Sequence, residues 1–172
     1  MKRLSPFAVV LALAAAGCSS NSTPTNPSPT NPTFTATLSP ANEVPPITNA
    51  ESTVNGNASI TLVVTRDASQ NITAASATFV VNLTGFPAGS AVNIAHIHEG
   101  ANTCACPVVV NTSLAAGEVS ISNGVASFTK TGINVDAAVA QRILSNPAGF
   151  YFNVHTTLNP GGVARGQLSR VS

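Results

Sequence analysis

A two-residue alternation of apolar and polar side chains runs through most of the chain after residue 33, and this feature restricts the fold more than any other. In the longest run, residues 54–64, every second position is apolar or small. Further strand candidates lie at residues 34–38, 75–83, 92–98, 108–110, 119–121, 125–129, 150–156 and 163–168. Because alternate side chains of a strand point to opposite faces of a sheet, this period predicts β-strands that each bury one face.

Turn and cap residues separate these segments. Residues 67–71 have turn composition, and residues 159–162 (Asn-Pro-Gly-Gly) are a strong hairpin turn signal. Residues 136–144 instead have apolar residues at helical spacing, with Asn134 or Asp136 as the N-terminal cap and Asn146-Pro147 as the stop. About eight strands at spacings of roughly ten residues are typical of a β-sandwich or a Greek-key barrel. We therefore predict an all-β domain over residues 34–172 with one short helix.

Charge is sparse in this chain. Charged residues make up 8% of the 172 positions, and the formal net charge is +1. Nucleic-acid-binding proteins concentrate Lys and Arg, so we expect no nucleic-acid partner. The sequence has no Gly-x-Ser-x-Gly nucleophile motif, and its six acidic residues are scattered. We therefore assign no catalytic residues and expect a protein without enzymatic activity.

The first residues have the composition of an export signal. Two basic residues precede an apolar run at residues 6–16, which is too short for a bilayer span of about 20 residues. The run ends in Ala15-Ala16-Gly17-Cys18, which resembles the lipobox of bacterial lipoproteins. The resemblance implies that residues 1–17 are a signal peptide, that Cys18 is acylated, and that Ser19 directs the protein to the outer membrane. The alternative is a plain secretory signal with an incidental cysteine.

Residues 18–33 are predicted to be a lipidated cysteine followed by a tether. Residues 19–33 contain four Pro among Ser, Thr and Asn, and no hydrophobic residue. Such a segment favours extended conformations and could hold a domain up to roughly 45 Å from the lipid. We thus expect a cell-envelope protein whose partner is the lipid bilayer, which it contacts through acylated Cys18.

All three histidines lie in two strand candidates. His96 and His98 are two residues apart, so a strand would project both from one face. His155 shares a face with Tyr151 and Asn153 in the later strand. Two imidazoles from one strand and a third from another are a plausible set of metal ligands. The alternative is a hydrogen-bonded polar cluster that braces loops, with Arg165 as a partner.

Cys104 and Cys106 enclose a single residue. In an exported protein this pair suggests a disulfide, although a bridge between residues two apart closes a very small ring that is easier to reduce than most. The alternatives are an intermolecular bridge or a pair of soft thiolate ligands for Cu(I).

Four segments together resemble the CHRD family, which was first described in chordin. They are Leu38–Pro46 (LSPANEVPP), Ala95–Gly100 (AHIHEG), Tyr151–Thr156 (YFNVHT), and Pro160–Gly162 with Arg165–Leu168 (PGG and RGQL). The resemblance implies an immunoglobulin-like β-sandwich, and the family has no generally established activity. The chain departs from the family pattern at Cys104 and Cys106, and at Val163-Ala164, where the family often has Glu-Ile.

A weaker likeness extends to the copper site of Cu/Zn superoxide dismutases, which are also Greek-key sandwiches. The shared features are the His-x-His strand, the late Asn-Val-His strand and a downstream Arg. Those enzymes need four histidines at copper, so three in this chain exclude a complete dismutase. A three-histidine copper site of the kind found in copper carriers remains compatible with the sequence.

Two functional hypotheses follow. In the first, the chain is a non-enzymatic structural or interaction module of unknown ligand, in which Glu43 fixes a turn against the histidines and Arg165. In the second, the chain binds copper through His96, His98 and His155, with Tyr151 or Asn153 orienting an imidazole and Cys104 and Cys106 nearby. A redox enzyme that uses this copper is a third and weaker hypothesis.

Overall fold

The alternating segments fold into nine strands within residues 31–171, the part of the chain that the computed structural model describes. The first sheet contains β1 (Thr33–Leu38), β2 (Asn55–Arg66), β3 (Ile72–Thr84), β6 (Ala126–Val135) and β9 (Ser169–Arg170), and the second contains β4 (Val92–Glu99), β5 (Val108–Asn111), β7 (Phe150–Thr156) and β8 (Ala164–Gln167). The orders are β6-β3-β2-β1-β9 and β5-β4-β7-β8, and all strand pairs are antiparallel. The prediction of an all-β sandwich is confirmed.

The core lies between the two sheets. Alternate residues of β3 are buried, as its two-residue period predicts. Phe79 of β3 stacks on Phe152 of β7 with ring centroids 5.7 Å apart, which joins the inner faces of the two sheets. Because both rings are fully buried, this contact contributes to the hydrophobic stabilisation of the sandwich.

Within residues 31–171 the structure has one α-helix, α1 (Ala137–Ser145), which begins where the sequence predicted it. The side chain of Asp136 caps the helix by accepting hydrogen bonds from the backbone N–H groups of Ala138 and Val139. Ala140 and Ile143 bury the apolar face of the helix, which packs against β3. Asn146 ends it, and a 3-10 turn (Pro147–Gly149) leads directly into β7.

The chain between β5 and β6 differs from the sequence prediction. Residues 119–121 form no strand, although Val119 is buried. The alternation of apolar and polar residues indicates which side chains reach the core. It does not require that the backbone form hydrogen bonds with a neighbouring strand. The next strand is longer than predicted, because β6 continues from Ala126 to Val135 and includes Gly132 at a φ of 65°.

Strand β7 is buried on both faces, although in a two-sheet sandwich only one face of each sheet packs against the core. One face packs into the core, and two connections cover the other. The segment after β1 is fixed to β8 through a bridge between Ser39 and Arg165. The loop between β4 and β5, residues 100–107, is bound to the same region and is called the cysteine loop below. A polar face that would otherwise meet solvent is thereby enclosed.

The predicted signal peptide, residues 1–17, and the predicted acylation site Cys18 lie outside the described residues. The same is true of the tether up to residue 30. Within residues 31–171, no helix has the length and apolar character needed to cross a membrane.

Candidate metal centre

Strand register brings the three histidines together. On β4, Ala95 and Ile97 point into the core, so His96 and His98 point to the outer face of the second sheet. In the antiparallel pairing of β4 with β7, His98 lies opposite Tyr151, His96 opposite Asn153, and Ile94 opposite His155. His96 and His155 are therefore diagonal neighbours on one face, within reach of each other.

The imidazoles converge on one point. The Nδ1 atom of His96 and the Nε2 atom of His155 are 3.3 Å apart, and one ring nitrogen from each of the three histidines lies within 4.8 Å of the others. Nitrogens that bind one ion at about 2.0–2.1 Å are separated by roughly 3.3–3.6 Å. The His96–His155 pair already has this separation, and the ligand nitrogen of His98 lies within 4.8 Å of those of the other two histidines.

Hydrogen bonds to main-chain carbonyls select the nitrogens that face the centre. The Nδ1 atom of His98 is 2.7 Å from the carbonyl oxygen of Cys106, and the Nδ1 atom of His155 is 2.9 Å from that of Pro160. A carbonyl only accepts, so both Nδ1 atoms donate and both Nε2 atoms carry a lone pair. Outer carbonyl partners of this kind orient the histidine ligands of metal sites.

The Nε2 atom of His98 is buried and has no hydrogen-bond partner within residues 31–171. A buried acceptor without a partner costs free energy, and native structures contain few of them. His155 Nε2 carries a lone pair and lies 3.3 Å from His96 Nδ1, so the His96 Nδ1–H donates to His155 Nε2 in the free protein. A cation at the centre would satisfy all three nitrogens once the His96 proton moves to its own Nε2 atom.

The histidines are electrically neutral near pH 7. Burial lowers the pKa of His96 to about 4, and the neighbouring charges of His155 and His98 act in the same direction. Burial also lowers the pKa of His98 and of His155, against the opposing effect of their carbonyl partners. Neutral imidazole is the form that binds metal, so the site is available to a cation without loss of a proton to solvent.

A stack of three side chains supports one edge of the centre. The rings of His98 and Tyr151 are parallel within 5°, with centroids 4.7 Å apart, and the guanidinium of Arg165 lies 4.5 Å from the Tyr151 centroid. The stack runs across β4, β7 and β8. The ring of Tyr151 contacts His98, and the hydroxyl of Tyr151 accepts a hydrogen bond from the Cys106 N–H at 3.0 Å.

Arg165 is 2% exposed, and its guanidinium donates to three main-chain carbonyls. Its Nη1 and Nη2 atoms lie 2.7 Å from the carbonyl oxygens of Cys104 and Asn102, and its Nε donates to Asn42. Arg165 thus joins the cysteine loop to the segment after β1. The sequence predicted Arg165 as a bracing residue, but these partners are backbone atoms, which have no signal in the sequence.

Glu43 is buried beside Arg165 at a nitrogen-to-oxygen distance of 4.0 Å, without a direct hydrogen bond. Burial raises the pKa of Glu43 to about 7, because the Arg165 charge and a hydrogen bond with Asn153 only partly compensate for it. Asn153, also buried, lies next to this carboxyl group. Gly162, at a φ of 133°, permits the arrangement: a Cβ there would lie 2.7 Å from Glu43 Oε1 and 2.8 Å from Asn153 Oδ1.

The cysteine loop carries a disulfide between Cys104 and Cys106, whose Cα atoms are 5.3 Å apart. The two sulfurs pack over Gly100, and a Cβ at this glycine would lie 2.6 Å from the Cys104 sulfur. The pair belongs to the site through its backbone, since both cysteine carbonyls accept hydrogen bonds from site residues. A second buried carboxylate, Glu51, accepts from Thr156 and Asn159 near the end of β7, and nothing in its sequence context indicated this role.

Replacing Glu43 with Gln is expected to change how stability depends on pH. The unfolded carboxyl ionises near pH 4.5, whereas the folded one keeps its proton until about pH 7, so folding stability falls as the pH rises through this window. Between pH 4.5 and pH 8, the unfolding free energy of the wild type should therefore fall by up to about 3 kcal/mol relative to that of Glu43→Gln. Urea unfolding at a series of pH values measures it.

The histidines are present in both chains, so their opposite contribution cancels in this comparison. A matched control is Glu118→Gln, because Glu118 is exposed and the Ala115 backbone N–H and the Lys130 side chain lower its pKa. This control should leave the slope between pH 5 and 8 unchanged. A Glu43→Gln slope equal to that of wild type would show that the Glu43 carboxyl ionises normally.

Comparison with known proteins adds one family. The model of the CHRD domain matches residues 34–168, which include every residue of the site. No curated protein and no solved structure matches the chain.

Proposed function

Since the chain belongs to the CHRD domain family, a non-enzymatic module is the functional class to start from, and we propose that this module binds one copper ion through His96, His98 and His155. The proposal adds a ligand to a family whose domain defines a fold and not a reaction. The copper is bound and held, with the protein supplying three neutral imidazoles. No substrate chemistry is assigned to it.

The observation that carries the proposal is the buried lone pair of His98 Nε2. Its own Nδ1 atom is committed to the Cys106 carbonyl, so this ring cannot turn to find another partner without losing a hydrogen bond of 2.7 Å. A purely bracing histidine would use both nitrogens. A buried acceptor without a partner, on a ring clustered with two other imidazoles, is the arrangement expected of a set of metal ligands.

The donor set favours copper over other metals. All three donors are imidazoles, and the nearby acidic residues, Glu43 and Glu51, are not members of the donor cluster. Imidazole suits copper, zinc and iron, and the affinity series for divalent ions peaks at Cu(II). Magnesium and calcium prefer oxygen ligands and do not fit.

We further propose that the module is attached to the outer membrane through acylated Cys18, with residues 19–33 as its spacer. The Cys18 context and the composition of the spacer support this placement. One or more acyl chains would supply the membrane affinity, because the chain has no basic cluster to add to it.

A second candidate function is structural, in which the polar cluster only holds loops on the second sheet. The hydrogen bonds of Arg165 to residues 42, 102 and 104 favour it, because they join two connections that are distant in sequence. In that case the histidines would stabilise the domain without a metal. The two candidates differ in one measurable quantity, which is retained copper.

The test uses the full chain in a Cys18→Ser background, which removes the one thiol outside the bridge. The protein is loaded with Cu(II), desalted and analysed for metal, with zinc loaded in parallel. Wild type should retain about one copper per chain, and His96→Ala/His98→Ala/His155→Ala should retain none. A Thr157→Ala variant is the matched control: Thr157 is exposed, is hydrogen-bonded to Asn93 and lies outside the imidazole cluster, so this variant should retain copper.

A folded wild-type chain that retains no metal would refute the copper proposal and leave the structural candidate. Preferential retention of zinc would keep the three-histidine site and reject copper as its ion. Circular dichroism of each variant confirms that the sheets are intact, so that a loss of copper is not a loss of fold.

A further inference from the structure

Most disulfides stabilise proteins by restricting the conformations of the unfolded chain. The Cys104–Cys106 bridge restricts the unfolded chain very little. Cross-links stabilise more as the loop they close becomes longer, and this one joins residues only two positions apart. It also sits at the surface, because both cysteines are only partly buried and Ala105 between them is exposed. A bridge that is accessible and contributes little to folding calls for another role.

The bridge instead fixes the direction of the backbone groups around it. Within the tripeptide 104–106, the Cys104 carbonyl accepts from Arg165, the Cys106 carbonyl accepts from His98, and the Cys106 N–H donates to the Tyr151 hydroxyl. These three partners are the members of the His98–Tyr151–Arg165 stack. Each residue of that stack therefore has one hydrogen bond to the bridged tripeptide, and the conformation of the tripeptide sets the geometry of these three bonds.

The strongest of these couplings is to His98. Its 2.7 Å hydrogen bond to the Cys106 carbonyl keeps the proton on Nδ1 and leaves the lone pair on the buried Nε2 atom of a ring that belongs to the three-histidine cluster. Opening the bridge removes the covalent restraint on the backbone at Cys106, so that this carbonyl can turn away. His98 then loses the partner that fixes both its tautomer and its ring orientation.

We infer that the Cys104–Cys106 pair is a thiol–disulfide exchange site for an external dithiol, and that its redox state sets the orientation of His98. The thiolate of the dithiol attacks one sulfur, which breaks the bridge, forms a mixed disulfide and releases the other cysteine as a thiolate that takes up a proton. The second thiol of the dithiol then attacks the mixed disulfide. The chain gains two electrons and two protons as a Cys104/Cys106 dithiol, and the donor leaves as its own disulfide.

The consequence for the metal rests on the proposed copper site. In the bridged form the three imidazoles are held in place for the ion. In the reduced form His98 is released, so the affinity of the imidazole set for Cu(II) should fall about tenfold or more, as is typical when an outer partner of a histidine ligand is lost. The bridge would thus couple the supply of reducing dithiol outside the cell membrane to release of the ion.

The first measurement tests exchange in the folded Cys18→Ser chain without any metal. The protein is equilibrated with dithiothreitol in native buffer, quenched with an alkylating reagent, and the two cysteines are counted by mass spectrometry. We expect full reduction of the pair while the circular dichroism of the sheets is unchanged. A pair that resists dithiothreitol until the domain unfolds would overturn the inference.

The second measurement follows His98 itself, again without metal. Long-range proton–nitrogen NMR of the imidazole rings should show His98 protonated on Nδ1 in the bridged chain, and a changed nitrogen shift after reduction. The Cys104→Ser/Cys106→Ser variant, which has neither bridge nor thiol ligand, should resemble the reduced chain. Thr112→Ser, next to β5 and outside the cysteine loop, is the control that should leave the spectrum unchanged. An identical His98 spectrum in bridged, reduced and serine forms would reject the coupling.

Copper titration of the bridged and serine forms separates the two proposals. A roughly tenfold weaker affinity in the serine form supports both. Equal affinities in the two forms would reject the coupling and leave the copper site standing. If neither form binds copper, the copper proposal fails, while thiol counting and the His98 spectrum still decide whether the exchange site exists.

Discussion

Replacing Arg165 with Met is expected to destabilise the domain by about 3–5 kcal/mol at pH 8, where Glu43 is ionised, which is the usual cost of removing one partner from a buried ion pair. Met preserves much of the apolar stem but none of the donors. The carbonyls of Asn42, Asn102 and Cys104 would lose their charged donor. Glu43 would lose the neighbouring positive charge of Arg165. Urea unfolding monitored by circular dichroism measures the change.

Two further variants keep this prediction open to refutation if Arg165→Met fails to fold. Arg165→Lys retains the charge but cannot place donors on three carbonyls, so it should lie between wild type and Met. Arg142→Ala removes an arginine that pairs with Glu99 at the surface, and it should change stability little. If Arg165→Lys equals wild type in stability, the three carbonyl contacts do not support the fold as described.

Replacing His155 with Ala is expected to weaken Cu(II) binding by roughly a hundredfold or more. Loss of a histidine's outer partner alone commonly costs about 10–100-fold, and loss of the ligand itself should cost at least as much. His155 is the most informative of the three ligands because its nitrogen already lies 3.3 Å from that of His96. Removing the His155 imidazole therefore breaks the His96–His155 pair, whose two nitrogens already have the separation of two ligands of one ion. Competition with a copper chelator of known affinity measures the change.

The matched control is Thr157→Ala, two residues further along the same segment. Thr157 is exposed and hydrogen-bonded to Asn93, away from the imidazoles, and its replacement should leave copper affinity unchanged. If His155→Ala binds copper as wild type does, the three-histidine geometry is not the copper site. Near-UV and far-UV circular dichroism of both variants shows whether the packing around β7 persists.

The period of two residues was sufficient to predict most of the fold and part of the site. It placed His96 with His98 on one face, and Tyr151, Asn153 and His155 on one face, because side chains alternate along a strand. It could not show that β4 and β7 are neighbours, nor the register that sets Ile94 opposite His155. Register depends on long-range packing between strands more than fifty residues apart.

Backbone atoms account for most of what the sequence could not reveal. His98 and His155 are held by the carbonyls of Cys106 and Pro160, and every residue type has a carbonyl. The composition of a loop therefore carries no information on which carbonyl will face an imidazole. The strand predicted at residues 119–121 was wrong for a related reason, since a buried Val119 is compatible with an irregular backbone.

Pairing of the first and last strands has a practical consequence for attaching other molecules to this domain. Phe34 lies opposite Arg170, so the chain enters and leaves the first sheet side by side. The imidazoles lie on the far side of the second sheet, and packed sheets are about 10 Å apart. A fluorophore or carrier protein that is joined before β1 or after β9 is therefore attached to the first sheet, on the side of the sandwich opposite the histidines. Immobilisation through either end should leave the histidine face free for soluble dithiols and ions.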